Sequence, residues 1–218
     1  MQVRKNFEME LEQQKQALLK MVEFSNKMLV DSVEALRTQN LELAQQVIDS
    51  DKQLNQMEID VNDKAIQIIA KEGPVAKDLR KVIVSLKISS DVERIGDLAV
   101  NIAKSTLIIG KEPLVAEITE IPRVIEIIKD MLHKSVSAFN YEDVSIAKYV
   151  ADQDDKVDEY YGKFLQEMIT LFKLYPNNTN QILQLSFICR YIERIGDHIT
   201  NIAENIVYLV KGKRYDLD

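Results

Sequence analysis

Residues 93–103 read Glu93-Arg94-Ile95-Gly96-Asp97-Leu98-Ala99-Val100-Asn101-Ile102-Ala103, and residues 193–203 read Glu193-Arg194-Ile195-Gly196-Asp197-His198-Ile199-Thr200-Asn201-Ile202-Ala203. Eight of the eleven positions are identical at an offset of 100. The correspondence continues upstream. Met28-Leu29-x-x-Ser32-Val33-x-Ala35 returns as Met131-Leu132-x-x-Ser135-Val136-x-Ala138, and Val47-x-Asp49-x-Asp51 as Val150-x-Asp152-x-Asp154. Pro74 and Pro176 fall at equivalent places. Such self-similarity marks a chain built from two copies of one unit.

The unit is helical. Only 6 Gly and 4 Pro interrupt 218 residues, so turns are few and helices long. Apolar residues recur at three- and four-residue spacing, as in Leu11, Leu18, Leu19, Val22, Leu29, Val33 and Leu36, and no alternating strand pattern competes. Helices are predicted over about 4–38, 41–71, 75–109, 119–139, 141–174 and 178–210. Their ends are marked by Gly73-Pro74, Gly110, Asn140 and Tyr175-Pro176. Thr119 is the expected cap of the fourth helix, with Pro122 in its first turn. The predicted fold is all-α: six long helices forming two tandem, pseudo-symmetric three-helix bundles over 1–110 and 119–218, joined by a linker at 111–118. Each bundle is small, so the two are expected to pack as one body.

Composition narrows the function. Lys and Arg number 28 against 35 Asp and Glu, a net charge of −7, which argues against a nucleic-acid surface. A single cysteine, Cys189, excludes a disulfide framework and a cysteine zinc site, and fits a reduced, cytoplasmic setting. Neither a secretory leader nor a membrane-spanning run is recognisable. The basic Lys211-Gly212-Lys213-Arg214 is read as complementing the dipole of the last helix. P-loop, dinucleotide-binding, zincin and Glu-x-x-His di-iron patterns are absent.

The repeated motif concentrates oxygen. Glu93, Asp97 and Asn101 share one stripe of the third helix, and Glu193, Asp197 and Asn201 share one stripe of the sixth. Like charges four apart destabilise a helix by a few tenths of a kcal/mol, and here the penalty occurs twice. On the preceding helices, Asp51 and Asn55, and Asp154 and Asp158, have the same spacing. Asp51 and Asp97 are equidistant from Pro74, as are Asn55 and Glu93; Asp154 with Asp197, and Asp158 with Glu193, are equidistant from the Tyr175–Pro176 break. Antiparallel packing therefore brings four oxygen-bearing side chains to one level in each bundle. One reading is a solvated acidic face with Arg94 and Arg194 as ion-pair partners. The other is a divalent or trivalent metal site, since clustered carboxylates repel unless a cation or proton intervenes. All-oxygen ligation suits Mg, Ca, Mn or ferric iron. Mid-helix Gly96 and Gly196, each costing about 1 kcal/mol relative to Ala, indicate a close helix approach, expected where the two bundles cross. His133, His198 and Cys189 lack repeat support and are read as incidental or core.

These features resemble the PhoU family of phosphate-uptake and phosphate-signalling regulators. The resemblance rests on the two Glu-Arg-Ile-Gly-Asp-x-x-x-Asn-Ile-Ala segments, on Pro74-Val75-Ala76-Lys77-Asp78-Leu79-Arg80, and on the two-copy layout along essentially the whole chain. It implies multinuclear metal clusters, iron or zinc in some members, held by paired acidic motifs. By position the ligands would be Asp51, Glu93 and Asp97 in one bundle and Asp154, Asp158, Glu193 and Asp197 in the other, with Asn101 and Asn201 as weaker candidates. Asn55 departs from the acid the pattern expects, so the first cluster is expected to be smaller or weaker. The resemblance further implies a cytoplasmic negative regulator, without enzymatic activity, connecting a phosphate ABC transporter to a sensor kinase. Contact with the membrane would be peripheral, through those partners, and a homodimer is expected. A metal-dependent phosphohydrolase and a metal-free helical scaffold stand as alternatives.

Overall fold

A computed structural model describes residues 2–115 and 120–214. It contains α1 (Gln2–Thr38), α2 (Leu41–Glu72), α3 (Ala76–Ile109), α4 (Glu120–Tyr141), α5 (Ser145–Leu174) and α6 (Thr179–Lys211), with a 3-10 turn at Pro176–Asn178 before α6. No helix among the described residues is long and apolar enough to cross a membrane.

Local chemistry sets the ends. The Asn40 side chain accepts a hydrogen bond from the Leu43 N–H and opens α2, and Gly73, in the left-handed region at φ +54°, closes it. The expected break at Asn140 is corrected: α4 runs through Asn140 to Tyr141, and the chain turns at Glu142, where φ is +53°. Asp143 then accepts from both the N–H and hydroxyl of Ser145, an Asx turn that leads into α5. The expected Thr119 cap and residues 116–118 of the expected linker lie outside the described residues.

Helices α1, α2 and α3 pack on one another, α4, α5 and α6 do the same, and the broadest contact in the molecule joins α3 to α6. One continuous apolar cluster runs through both groups, from Leu18, Met21 and Leu36 through Ile95 and Ile102 to Ile128, Ile195 and Ile206. A smaller cluster of Ala65, Ile68 and Val82 closes the far end of α2 against α3.

The α3–α6 seam is antiparallel. Arg80 donates to the carbonyl of Leu209 (3.4 Å), Lys87 lies over the ring of Tyr208, and His198 Nδ1 meets Asp91 Oδ1 at 3.1 Å. Its two ends are fastened differently. At one, Glu142 accepts from Lys77 and from Lys81 (2.9 Å) of α3. At the other, the start of the linker is gripped from both sides. Gln39 Nε2 donates to the carbonyls of Gly110 (3.0 Å) and Glu112 (2.6 Å), while Gln181 accepts from the Val115 N–H (2.7 Å) and donates to the Pro113 carbonyl (3.2 Å). Gln39 and Glu142 are repeat equivalents, and both adopt positive φ.

The hydrogen bond from Lys77, opposed by desolvation and reinforced by Lys81, holds the Glu142 carboxyl below its ordinary range. A depressed carboxylate stabilises the fold above its unfolded-state pKa and loses that contribution as pH falls through the folded value. Glu142→Gln is accordingly expected to lower Tm at pH 7 by about 1–3 °C. The gap to the parent protein should close below the ordinary carboxylate range in a thermal-unfolding series against pH.

Candidate metal centres

The two motifs stand on the faces where α2 meets α3 and α5 meets α6. Gly96 explains the closeness in the first bundle. A Cβ there would overlap Cδ2 of Leu54, which α2 drives fully buried against α3. In the second bundle a Cβ on Gly196 would lie 2.5 Å from Asp154 Oδ1 and 3.5 Å from Val157, the repeat equivalent of Leu54. The glycines thus admit the preceding helix of their own bundle. The close approach expected where the bundles cross lies within each bundle instead.

In the first bundle, Asp51 accepts from the Asn55 amide (3.3 Å), and Arg94 bridges Glu93 (3.4 Å) and Asp97 (2.8 Å). Burial, seconded by the charge of Asp97, pushes the Glu93 carboxyl up; Arg94 opposes the shift, and the charges of Glu58 and Asp51 add to it. Asp51 Oδ1 and Asn55 Oδ1 are buried without a hydrogen-bond donor. Glu58, seven residues after Asp51 on the same stripe of α2, lies outside the motif spacing.

The second bundle holds its charges otherwise. Asp154 is 9% exposed, and its Oδ2 accepts from the Thr200 hydroxyl at 2.9 Å, a partner with no counterpart at Val100. Glu193 is ion-paired with Arg190 rather than with the expected Arg194, and Arg190 also lies over the Tyr161 ring. Burial again leads the upward shift of Glu193, with Asp197 and Asp158 adding and Arg190 opposing. Glu193 Oε2 is buried without a donor. Asp158 and Asp197 stand at the exposed rim. Asn201 is exposed, and its backbone carbonyl accepts from the Asn205 amide. Thr200 and Arg190 left no signal in the sequence, because neither is repeated in the first copy.

Among the described residues, no three His, Cys, Asp or Glu side chains are gathered closely enough to hold a metal ion as they stand. The donor chemistry nevertheless fits one. Each group combines several carboxylates with buried oxygens that lack donors, and each contains a glutamate whose charged form burial disfavours; a hard cation would relieve both conditions. Arg94 and Arg190 each set a guanidinium against one of the two groups. His198 and His133 stand apart from both groups, His198 at the seam and His133 beside α1. Cys189 is buried, and burial pushes its thiol well up, as for an inert core residue.

A duplicated three-helix-bundle fold with a carboxylate group on each copy defines the class of protein. Residues 18–106 and 121–206 match the family model described as the PhoU domain, and the chain belongs to the PhoU family. It is 35% identical to a phosphate-specific transport system accessory protein PhoU homologue of Clostridium acetobutylicum, over 99% of both chains. It is 38% identical to the homologue of Aquifex aeolicus, over 94% of this chain and 92% of that one. The crystal structure of PhoU from Pseudomonas aeruginosa superposes with a TM-score of 0.90 at 35% identity, covering 95% of this chain and all of that one. The phosphate transport system regulatory protein PhoU from Streptococcus pneumoniae also superposes at 0.90, with 29% identity.

A carboxyl whose pKa is raised by folding favours the folded state below its unfolded-state pKa and loses that advantage as pH rises through the folded value. For metal-free protein, Glu193→Gln is expected to raise Tm at pH 7 by on the order of a degree or two, and to remove the loss of stability that this carboxyl is expected to cause as pH rises from the ordinary carboxylate range to neutrality. Thermal melts in chelator check both.

Proposed function

We propose that the chain is a non-enzymatic regulator of a phosphate-specific transport system, working at the cytoplasmic face of the membrane. The observation that supports this most is the match along 99% of both chains to a relative named as an accessory protein of that system. In this reading it docks on a phosphate ABC transporter and on a sensor kinase, and restrains the phosphate-starvation response when phosphate is plentiful. The carboxylate groups of the two bundles bind metal ions through oxygen, with Asp51, Asn55, Glu93 and Asp97 in one and Asp154, Asp158, Glu193 and Asp197 in the other. Iron or zinc, or else Mg or Mn, would neutralise the buried charge and free Arg94 and Arg190 for other contacts. The protein works as a homodimer.

Deleting the gene and measuring phosphate-responsive transcription tests the regulatory role; expression in high phosphate should rise several-fold, and an unchanged response would sink the reading. Elemental analysis of gently purified protein should find bound metal that Glu193→Gln diminishes. Turnover of phosphate esters by metal-loaded protein, abolished by Asp197→Asn, would favour a phosphohydrolase instead. Light scattering at micromolar concentration should give twice the chain mass.

A further inference from the structure

Helix α1 is 37 residues long, and its repeat counterpart α4 only 22. Since Met131 corresponds to Met28, Glu120 corresponds to Ala17, and the turns of α1 before Ala17 have no counterpart in α4. Two cavities open along α1 and α4, of about 230 and 270 Å³, and Asn140 lines both. The first lies against the unmatched turns, with Leu11, Gln14, Phe139 and Leu209 in its wall. The second is walled by Leu19, Asn26, Leu132 and Val136. Together they form a groove that follows α1 from Leu11 to Asn26, about 22 Å at the helical rise.

Polar atoms without partners are concentrated here. Gln14 Nε2, Asn26 Oδ1 and Asn140 Oδ1 are buried and have no hydrogen-bond partner among the described residues. Beneath them Ser135 Oγ is in the same state. Gln14 is 1% exposed and Ser135 not at all. The repeat counterpart of Ser135 behaves otherwise, since Ser32 donates to the Leu29 carbonyl at 2.7 Å. Buried polar groups are normally paired, and leaving one unpaired is costly. A carboxamide is the complement of a peptide group, its N–H meeting a C=O and its C=O an N–H. The chain already uses carboxamides in this way, where Gln39 and Gln181 hold the backbone between Gly110 and Val115. The groove presents the same chemistry with the backbone missing: one donor, from Gln14, and two acceptors, from Asn26 and Asn140. The charged residues around it are of both signs, Glu8, Glu12, Glu23 and Glu142 against Lys15, Lys81 and Lys129. Those acids oppose a phosphate-bearing ligand, and the lysines oppose a polycation.

We propose that the α1–α4 groove binds an extended, largely uncharged peptide segment of a partner protein. At about 3.3 Å per residue, 22 Å accommodates about seven residues. Gln14, Asn26 and Asn140 hold the backbone, and apolar side chains at alternate positions fill the two cavities. The groove shares no residue with the carboxylate groups, so the proposal stands apart from the metal reading.

The test selects a displayed library of random heptapeptides on the full chain and titrates the selected sequences, synthesised with blocked ends, by fluorescence anisotropy. They are expected to be uncharged and apolar at alternate positions, and to slow amide hydrogen exchange in α1 around residues 11–26 and in α4 around 129–140. Gln14→Leu and Asn26→Leu should each weaken binding about three- to tenfold. Both should also raise Tm by about a degree, because each removes a polar group that is unpaired without the peptide. A merely structural role for these amides would lower Tm instead. Circular dichroism checks each fold, and the exchange measurement locates the site on the parent chain should a variant fail to fold. A selection that yields no binding heptapeptide would overturn the proposal and leave the cavities to water. Peptides that protect other segments, or that bind both variants as tightly as the parent, would overturn it too.

Discussion

Everything at the two sites depends on how closely α2 lies on α3, and α5 on α6. That separation is set by the missing side chains at Gly96 and Gly196. In the first bundle the space is taken by Leu54, fully buried; in the second it is shared by Val157 and the Asp154 carboxylate. A methyl group at either glycine would need the opposing helix to yield in a core with little slack. The same approach presses Glu93 and Glu193 out of water while leaving them beside other acids. The electrostatic tension of each site is thus a by-product of helix packing, sustained by the apolar core beneath it.

Most of the fold was legible because its signals are redundant. Repeat, period and the Gly–Pro stop at residues 73–74 all point to the same helices, and α2, α3 and α6 end within a residue or two of where they are expected. The α4–α5 turn was misplaced because a non-glycine residue, Glu142, takes the left-handed conformation there, held by two lysines more than sixty residues earlier in the chain. A long-range ion pair leaves no local trace. The clustering of acids was legible in part. Spacing and level placed Glu93, Asp97, Asp51 and Asn55 together, as it did Glu193 and Asp158. Repeat logic assigned Arg194 to Glu193, whereas packing against Tyr161 brings Arg190. It also overlooked Thr200, since a hydroxyl present in one copy only carries no signature of its own.

Divergence between the copies follows a rule of compensation. Where the second bundle buries Asp154, it also acquires Thr200 to donate to it. Where the first has Asn55 beside Asp51, the amide donates to that carboxylate. At the ends of the seam, Gln39 replaces the carboxylate of Glu142 and holds linker carbonyls instead of lysines. One end of the seam is held by a strap of backbone and the other by an ion pair.

The seam itself gives the carboxylates a mechanical address. With Asp91 beside His198 and Arg80 beside Leu209, residues 95 and 195 stand opposite each other, both isoleucines and both fully buried. Glu93 and Asp97 are consequently about level with Asp197 and Glu193. Both sites lie at the fulcrum of the two bundles. A rigid rotation of one bundle about this level would leave the region nearly in place and displace most the Glu142–lysine cluster at one extremity and the clamped strap at the other. A small change in α2–α3 or α5–α6 spacing at the fulcrum would be magnified along helices of more than thirty residues. The far ends of the molecule are thus where a change in the charge at its centre would be felt as displacement.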